Sequence, residues 1–146
     1  MLTQILIGCA LIIVTVLLHA LGMSVSLRFL KRAIEMELDM ASLWVRALVI
    51  TAVVLILLAA TLFEAGVWAA TYSALGAISD LEEALYFSMV TYTTLGYGDV
   101  VLDEQWRLLA SIEAANGLII FAWSTALIVL ALGRISRLIR DLKAMD

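Results

Sequence analysis

Four apolar stretches divide this 146-residue chain, and three of them are long enough, or nearly so, to cross a bilayer. Residues 1–27 contain no Asp, Glu, Lys or Arg, and further charge-free runs cover residues 47–63 and 114–133. A spanning helix needs about 20 mainly apolar residues. With their flanking residues included, these runs predict three transmembrane helices, at 1–27, 43–73 and 106–133.

The fourth apolar stretch, residues 81–93, is different because it is too short to span. At 1.5 Å per residue it gives a helix of only about 20 Å. Between two spanning helices, such a segment suits a re-entrant helix, which is tolerated at membrane depth where protein or water surrounds it. We predict this helix over residues 80–93, with Ser79 as its N-cap and Glu82 three residues further on.

The short helix runs directly into a glycine-containing string at residues 93–99, Thr-Thr-Leu-Gly-Tyr-Gly-Asp. Gly96 and Gly98 can adopt positive φ angles, which allow consecutive carbonyls to turn toward one axis. The negative end of the helix dipole would point at the same place, where a dehydrating cation needs it. The string therefore predicts a cation-binding backbone. The alternative is a simple glycine-rich turn between two membrane helices.

Composition agrees with a membrane protein and excludes several classes of function. The chain is 64% hydrophobic and 15% charged and has no proline, and its mean hydropathy is +1.09. A single Cys and a single His exclude a disulfide framework and a Cys/His metal cluster built from one chain. No arrangement of side chains indicates an enzyme or a cofactor. The net charge of −4 argues against nucleic-acid binding.

The basic residues predict the orientation of the chain through the positive-inside rule. One topology places eight of the nine basic residues in the cytoplasm. It has an outer N-terminus, a cytoplasmic connector at 28–42 and a basic cytoplasmic tail at 134–146, in the inner or plasma membrane of the cell. Only Arg107 then lies outside. The outer mouth instead gathers acidic residues, which would attract cations: Asp80, Glu82, Glu83, Asp99, Asp103 and Glu104.

Residues 43–133 resemble the pore domain of potassium channels. The string TTLGYGD is similar to the family's TTVGYGD, and Tyr86-Phe87-Ser88 resembles its pore helix. Trp106 and Arg107 open the last helix as in small bacterial members. The resemblance, which does not include the first helix, implies that the second and third transmembrane helices and the re-entrant helix assemble around a four-fold pore. Together with the apolar runs, it leads us to expect an all-α membrane protein with three transmembrane helices. It divides the domain into an outer helix (43–73), a pore helix (80–93), a filter (94–98) and an inner helix (106–133).

The resemblance also implies which atoms hold the ion. The backbone carbonyls of Thr94, Leu95, Gly96 and Tyr97, together with the Thr94 hydroxyl, would coordinate permeant K⁺. Gly98 would shape the outer entrance. No other cofactor is implied. Because one chain supplies one filter strand, the resemblance implies a homotetramer.

Further residues are candidates for supporting the filter or for gating. Thr93 and Asp99 flank the filter, and Gly117, Leu118, Phe121 and Thr125 fall where the family places a hinge glycine and the cavity lining. Glu113 is an acid at filter depth. It either hydrogen-bonds polar atoms of the pore helix, at Ser88, Thr91 or Tyr92, or it acts in gating.

These residues predict a potassium-selective channel that conducts passively. Leu95 replaces the usual Val or Ile, so a weakly selective cation channel is an alternative. A non-conducting sensor or regulatory subunit with a pore-like shell is another. Val90 stands where some bacterial members carry a glutamate that pairs with the filter aspartate, so any slow filter closure should depend on different contacts.

His19, the basic tail and the connector each allow two interpretations. His19 suits a packing histidine better than a pH sensor, and the first helix receives no role. Arg134, Arg137 and Arg140 either bind anionic lipid or only follow topology. The connector is either an amphipathic interfacial helix or a solvated link.

Overall fold

Four helices make up a computed structural model of the chain, which describes residues 1–36 and 42–144. They are α1 (Leu2–Glu35), α2 (Leu43–Ala74), α3 (Leu81–Tyr92) and α4 (Arg107–Lys143). Three of them are long and apolar enough to cross a membrane, and the described residues contain no strand. The prediction of an all-α membrane protein is confirmed.

Two helices continue past the points at which the sequence predicts a boundary. α1 does not end at residue 27 but runs to Glu35, so residues 28–35 extend the first helix and do not begin a separate connector. α4 likewise runs through the predicted end at residue 133 to Lys143. Both segments lack proline, and the change from apolar to charged residues does not by itself end a helix. Residues 37–41 of the predicted connector and residues 145–146 of the tail lie outside the described part.

Contacts among the three long helices show which of their ends lie on the same side of the bundle. At one end, Leu30 and Ala33 of α1 contact Val49 of α2 and Ala131 and Ile135 of α4. The end of α1, the start of α2 and the end of α4 therefore share one side of the bundle. This side also carries most of the basic residues, namely Arg28, Lys31, Arg32, Arg46, Arg134, Arg137 and Arg140.

α1 packs against α2 and α4 through one face along its whole length. The buried residues recur three, four or seven positions apart, as expected for one face of a helix: Gly8, Leu11, Thr15, His19, Ser26, Leu30 and Ala33. Gly22 allows a close approach on this face, because a Cβ there would lie 2.9 Å from the Cβ of Ala60 on α2. Two polar residues on this face, Thr15 and His19, are completely buried.

α3 is the short helix, and it lies against α2 and α4 at the opposite end of the bundle. It begins at Leu81, seven residues after α2 ends. Its N-cap is Asp80, whose side chain accepts a hydrogen bond from the Glu83 N–H at 2.9 Å, so the prediction of Ser79 as the cap is wrong. Its last residue, Tyr92, lies against Gly117, which is ten residues or about 15 Å into α4. α3 therefore ends at depth inside the bundle.

Candidate functional site

The glycine segment, residues 93–99, leaves the end of α3 with an unusual backbone. Positive φ angles occur at every second residue: 59° at Thr94, 58° at Gly96 and 80° at Gly98. Leu95 and Tyr97 between them have negative φ. Glycine adopts such angles readily, whereas a β-branched residue such as Thr94 is strained by them. This alternation of positive and negative φ angles differs from the backbone of a β-strand, in which φ is negative throughout and successive carbonyls point to opposite sides.

Hydrogen bonds tie the N–H groups of this segment to the last turn of α3. The N–H groups of Leu95 and Gly96 both donate to the carbonyl of Val90, at 2.9 and 3.2 Å, and the Thr94 N–H donates to Thr91 at 2.9 Å. Within the part of the chain that the structure describes, no carbonyl of residues 94–98 accepts a hydrogen bond. The segment thus directs its donors to the helix and keeps its acceptors available, as a cation site requires.

All side chains of the glycine segment are exposed on the single chain. Two of them are large: Leu95 is 54% exposed and Tyr97 is 67% exposed. In a membrane protein, exposed apolar side chains such as these are covered either by lipid or by another protein chain. Among residues 1–36 and 42–144, no group of three His, Cys, Asp or Glu residues comes close enough to hold a metal ion. The oxygen atoms that this segment offers to a cation are its backbone carbonyls, its hydroxyl groups and the Asp99 carboxylate.

Asp99, directly after the two glycines, is held by α3. The Tyr86 hydroxyl donates to Asp99 Oδ2 at 2.6 Å. This hydrogen bond stabilises the charged carboxylate and lowers the pKa of Asp99 below its ordinary value. Val90, the position of the glutamate in some bacterial potassium channels, makes no such bond, so Tyr86 provides the contact between α3 and Asp99.

The Tyr86 contact gives a prediction for the response to acid. Replacing Tyr86 by phenylalanine removes the donor, so the pKa of Asp99 rises and the carboxylate is protonated at a higher pH than in the wild type. We expect the pH at which Asp99 is half protonated to shift upward in this variant. NMR titration of the side-chain carboxyl group in the purified protein across a pH series measures this shift.

The control for this variant is Asp103→Asn, which removes another exposed acid of the same loop between α3 and α4. It should leave the midpoint of the Asp99 titration unchanged. A wild-type midpoint in Tyr86→Phe would contradict the role assigned to the Tyr86–Asp99 bond.

Glu113 is fully buried behind the glycine segment, on α4. It accepts a hydrogen bond from the Tyr72 hydroxyl at 2.7 Å and contacts the hydroxyl of Ser88. Ser88 also lies 2.7 Å from the carbonyl oxygen of Ala65. Of the three predicted partners on the pore helix, Ser88 is the one that Glu113 contacts. Tyr72 on α2 is a partner that the sequence did not indicate. Glu113 therefore joins α2, α3 and α4.

A second group of buried polar side chains, which we call the inter-helix network, lies deeper and includes the first helix. Its members come from all four helices: Thr15, His19, Glu64, Tyr92, Asn116 and Ser124. Each is less than 10% exposed. Two members have a role in the sequence-based prediction: His19 as a packing residue and Tyr92 as a candidate partner of Glu113. The sequence predicts no role for the other four.

The predicted gate and cavity residues of α4 do not share one environment. Gly117 is buried against Tyr92, because a Cβ at this position would overlap the Tyr92 carbonyl. Phe121 is half-buried, with its ring centroid 6.4 Å from that of Tyr92. Leu118 and Thr125 are exposed. Only the last two therefore lie on the free surface of α4, whereas Gly117 serves close packing with α3.

Two spanning helices that enclose a half-length helix and an exposed glycine segment define a membrane protein of the pore-loop class. The sequence profile of an ion-channel family, of the two-transmembrane potassium-channel type, matches residues 43–134, well over half of the chain. The chain belongs to this ion-channel family. α1 lies outside the matched region. Neither the curated proteins nor the solved structures give a significant match to the chain.

Proposed function

We propose that this ion channel is selective for potassium and conducts it passively through a four-fold pore. The observation that carries the proposal is the backbone of residues 94–98, with positive φ at every second residue and N–H groups bonded to Val90 and Thr91. The unbonded acceptors of this strand suit a dehydrated cation. In this proposal the ion sites are the carbonyls of residues 94–97 and the Thr94 hydroxyl, with Gly98 at the entrance and K⁺ as the only bound species.

The proposed assembly is a homotetramer. One strand offers carbonyls to an ion from one side only, so a closed ring needs several copies around an axis. The exposed side chains of Leu95 and Tyr97 support this, because they would be covered by neighbouring copies. On α4, Leu118 and Thr125 are exposed at positions seven residues apart and would face the cavity below the filter.

The proposed orientation has the N-terminus outside and the C-terminus in the cytoplasm of a cell whose plasma or inner membrane holds the channel. Support comes from the packing, which gathers the basic ends of α1, α2 and α4 on one side of the bundle. The side chains of Arg134, Arg137 and Arg140 are exposed there. They are available for contact with anionic lipid headgroups.

Flux from liposomes tests the function. Purified protein is reconstituted with a potassium or a sodium gradient, and protein-free vesicles with valinomycin provide the reference. We expect potassium flux that does not require valinomycin and that greatly exceeds sodium flux. Comparable permeabilities would instead indicate a weakly selective cation channel. A tetramer without any flux over a range of pH and voltage would indicate a non-conducting sensor or regulatory subunit.

A further inference from the structure

α1 lies outside the ion-channel domain at 43–134, yet its buried polar residues reach the end of the pore helix. We propose that α1 is a functional part of the pore, in which His19 and Thr15 act as positioning residues for Tyr92 and thereby for the filter. The proposal rests on the potassium-channel function above. It gives the first helix a role in selectivity.

The first connection runs from His19 through Glu64. His19 Nδ1 lies 3.0 Å from Glu64 Oε1, and the other carboxylate oxygen of Glu64 accepts a hydrogen bond from the Tyr92 hydroxyl at 3.0 Å. His19 Nε2 lies 3.0 Å from the Ser124 hydroxyl on α4, so both ring nitrogens are engaged. All these side chains are buried, and a buried polar group without a hydrogen-bond partner destabilises the folded state. Glu64 therefore needs both His19 and Tyr92.

The second connection runs from Thr15 through Asn116. Asn116 Nδ2 donates to Thr15 Oγ1 at 2.7 Å and lies 3.5 Å from the Tyr92 hydroxyl. Thr15 and His19 are four residues apart on α1 and therefore share a face. The hydroxyl of Tyr92 is thus approached from α2 and from α4, and each approaching side chain is in turn held by α1.

Tyr92 is placed so that its position affects the filter. It is the last residue of α3, two residues before Thr94, whose positive φ begins the candidate filter. The same last turn supplies the Val90 carbonyl that accepts from Leu95 and Gly96. A shift or rotation of this turn would displace the N–H partners of the filter strand. The network therefore acts on filter geometry from behind, without touching the ion.

The polar contacts that α1 makes with other helices are concentrated at the depth of Tyr92. Towards the basic end of the bundle, α1 packs through the apolar residues Leu30 and Ala33. Towards the other end it packs through Gly8, beside Ile112, and Leu11. Apolar contacts would be enough to anchor a helix in the membrane, since packing drives such association. The polar residues beside Tyr92 therefore indicate a specific requirement at that depth.

The test compares permeability ratios of reconstituted tetramers. His19→Leu removes both ring hydrogen bonds, whereas His19→Gln keeps one donor and one acceptor. We expect the K⁺/Na⁺ permeability ratio to fall about tenfold in His19→Leu, the order of magnitude that corresponds to one buried polar group left without its partner. It should be largely restored in His19→Gln. Combined with Tyr92→Phe, His19→Leu should add little further loss, because both changes break the same connection.

Ser26→Ala is the matched control, because Ser26 is a buried polar residue on the same face of α1 whose hydroxyl has no hydrogen-bond partner in the described part of the chain. It should leave the ratio unchanged. If His19→Leu does not assemble, Thr15→Val breaks the second connection with little change in size and should lower the ratio. Wild-type selectivity in the assembled variant would overturn the proposal. A wild-type protein that is itself unselective would instead refute the potassium-channel function.

Discussion

Replacing Gly96 by alanine is expected to abolish the potassium-selective conduction that we propose. Gly96 has a φ of 58°, and an added Cβ would meet no atom of the described residues within 4 Å beyond its chain neighbours, so the effect is conformational and not a clash within the chain. A residue with a Cβ is disfavoured in the left-handed region by about 1–2 kcal/mol. Thr94, whose φ is 59°, already places one residue with a Cβ in this disfavoured region. In a tetramer the penalty is repeated in every copy.

In the proposed homotetramer the four copies would add up to about 4–8 kcal/mol, enough to shift a two-state equilibrium by a factor of about a thousand or more. Potassium and sodium flux from liposomes measures the outcome. Gly66→Ala is the control, because Gly66 lies in α2, has no positive φ and has free space around it. It should retain selective flux. Normal selectivity in Gly96→Ala would refute the filter assignment.

Replacing Gly117 by alanine is expected to cause a large loss of stability. The added Cβ would overlap the carbonyl oxygen of Tyr92 and lie 2.8 Å from its carbonyl carbon. Overpacking in a tight interior costs about 1–3 kcal/mol, and here the opposing atoms are backbone, which cannot move aside like a flexible side chain. α4 and α3 would have to separate. We expect a clear fall in the melting temperature of the purified protein in detergent.

Gly133→Ala provides the matched control for this variant. Gly133 lies on the same helix, and an added Cβ there would meet nothing within 4 Å. Because alanine also has the higher helix propensity, this variant should be at least as stable as the wild type. If Gly117→Ala melts at the wild-type temperature while conduction changes, the residue would act as a hinge and not as a packing contact.

Much of the architecture follows from the sequence because it depends on local properties. The charge-free runs predict three spanning helices, and the short apolar stretch before the glycines predicts the half-length helix α3. Composition alone misplaces the helix ends. The sequence predicts boundaries near residues 27 and 133, where charges begin, but the backbone continues to Glu35 and Lys143. Residues 28–35 contain good helix formers, including Lys31 and Glu35, which form an ion pair at 3.4 Å.

The inter-helix network is the part of the site that sequence reasoning missed, and the cause is distance along the chain. His19 and Glu64 are 45 residues apart, and Thr15 and Asn116 are 101 residues apart. No local periodicity predicts such pairs. One signal was present, since Thr15, His19 and Ser26 lie on one face of α1 within a mainly apolar stretch. That spacing indicates a polar face, but not what it contacts.

The buried pair of His19 and Glu64 also has a consequence for the synthesis of the protein. A charged residue near the middle of a spanning helix disfavours insertion into lipid by about 2.5–3.5 kcal/mol. Glu64 is an ionisable residue buried within the spanning helix α2. Because the chain is made from its N-terminus, α1 is synthesised before α2, and His19 is then available to bind the carboxyl group of Glu64. We therefore expect a variant that begins at α2, without α1, to insert less efficiently into the bilayer than the full chain.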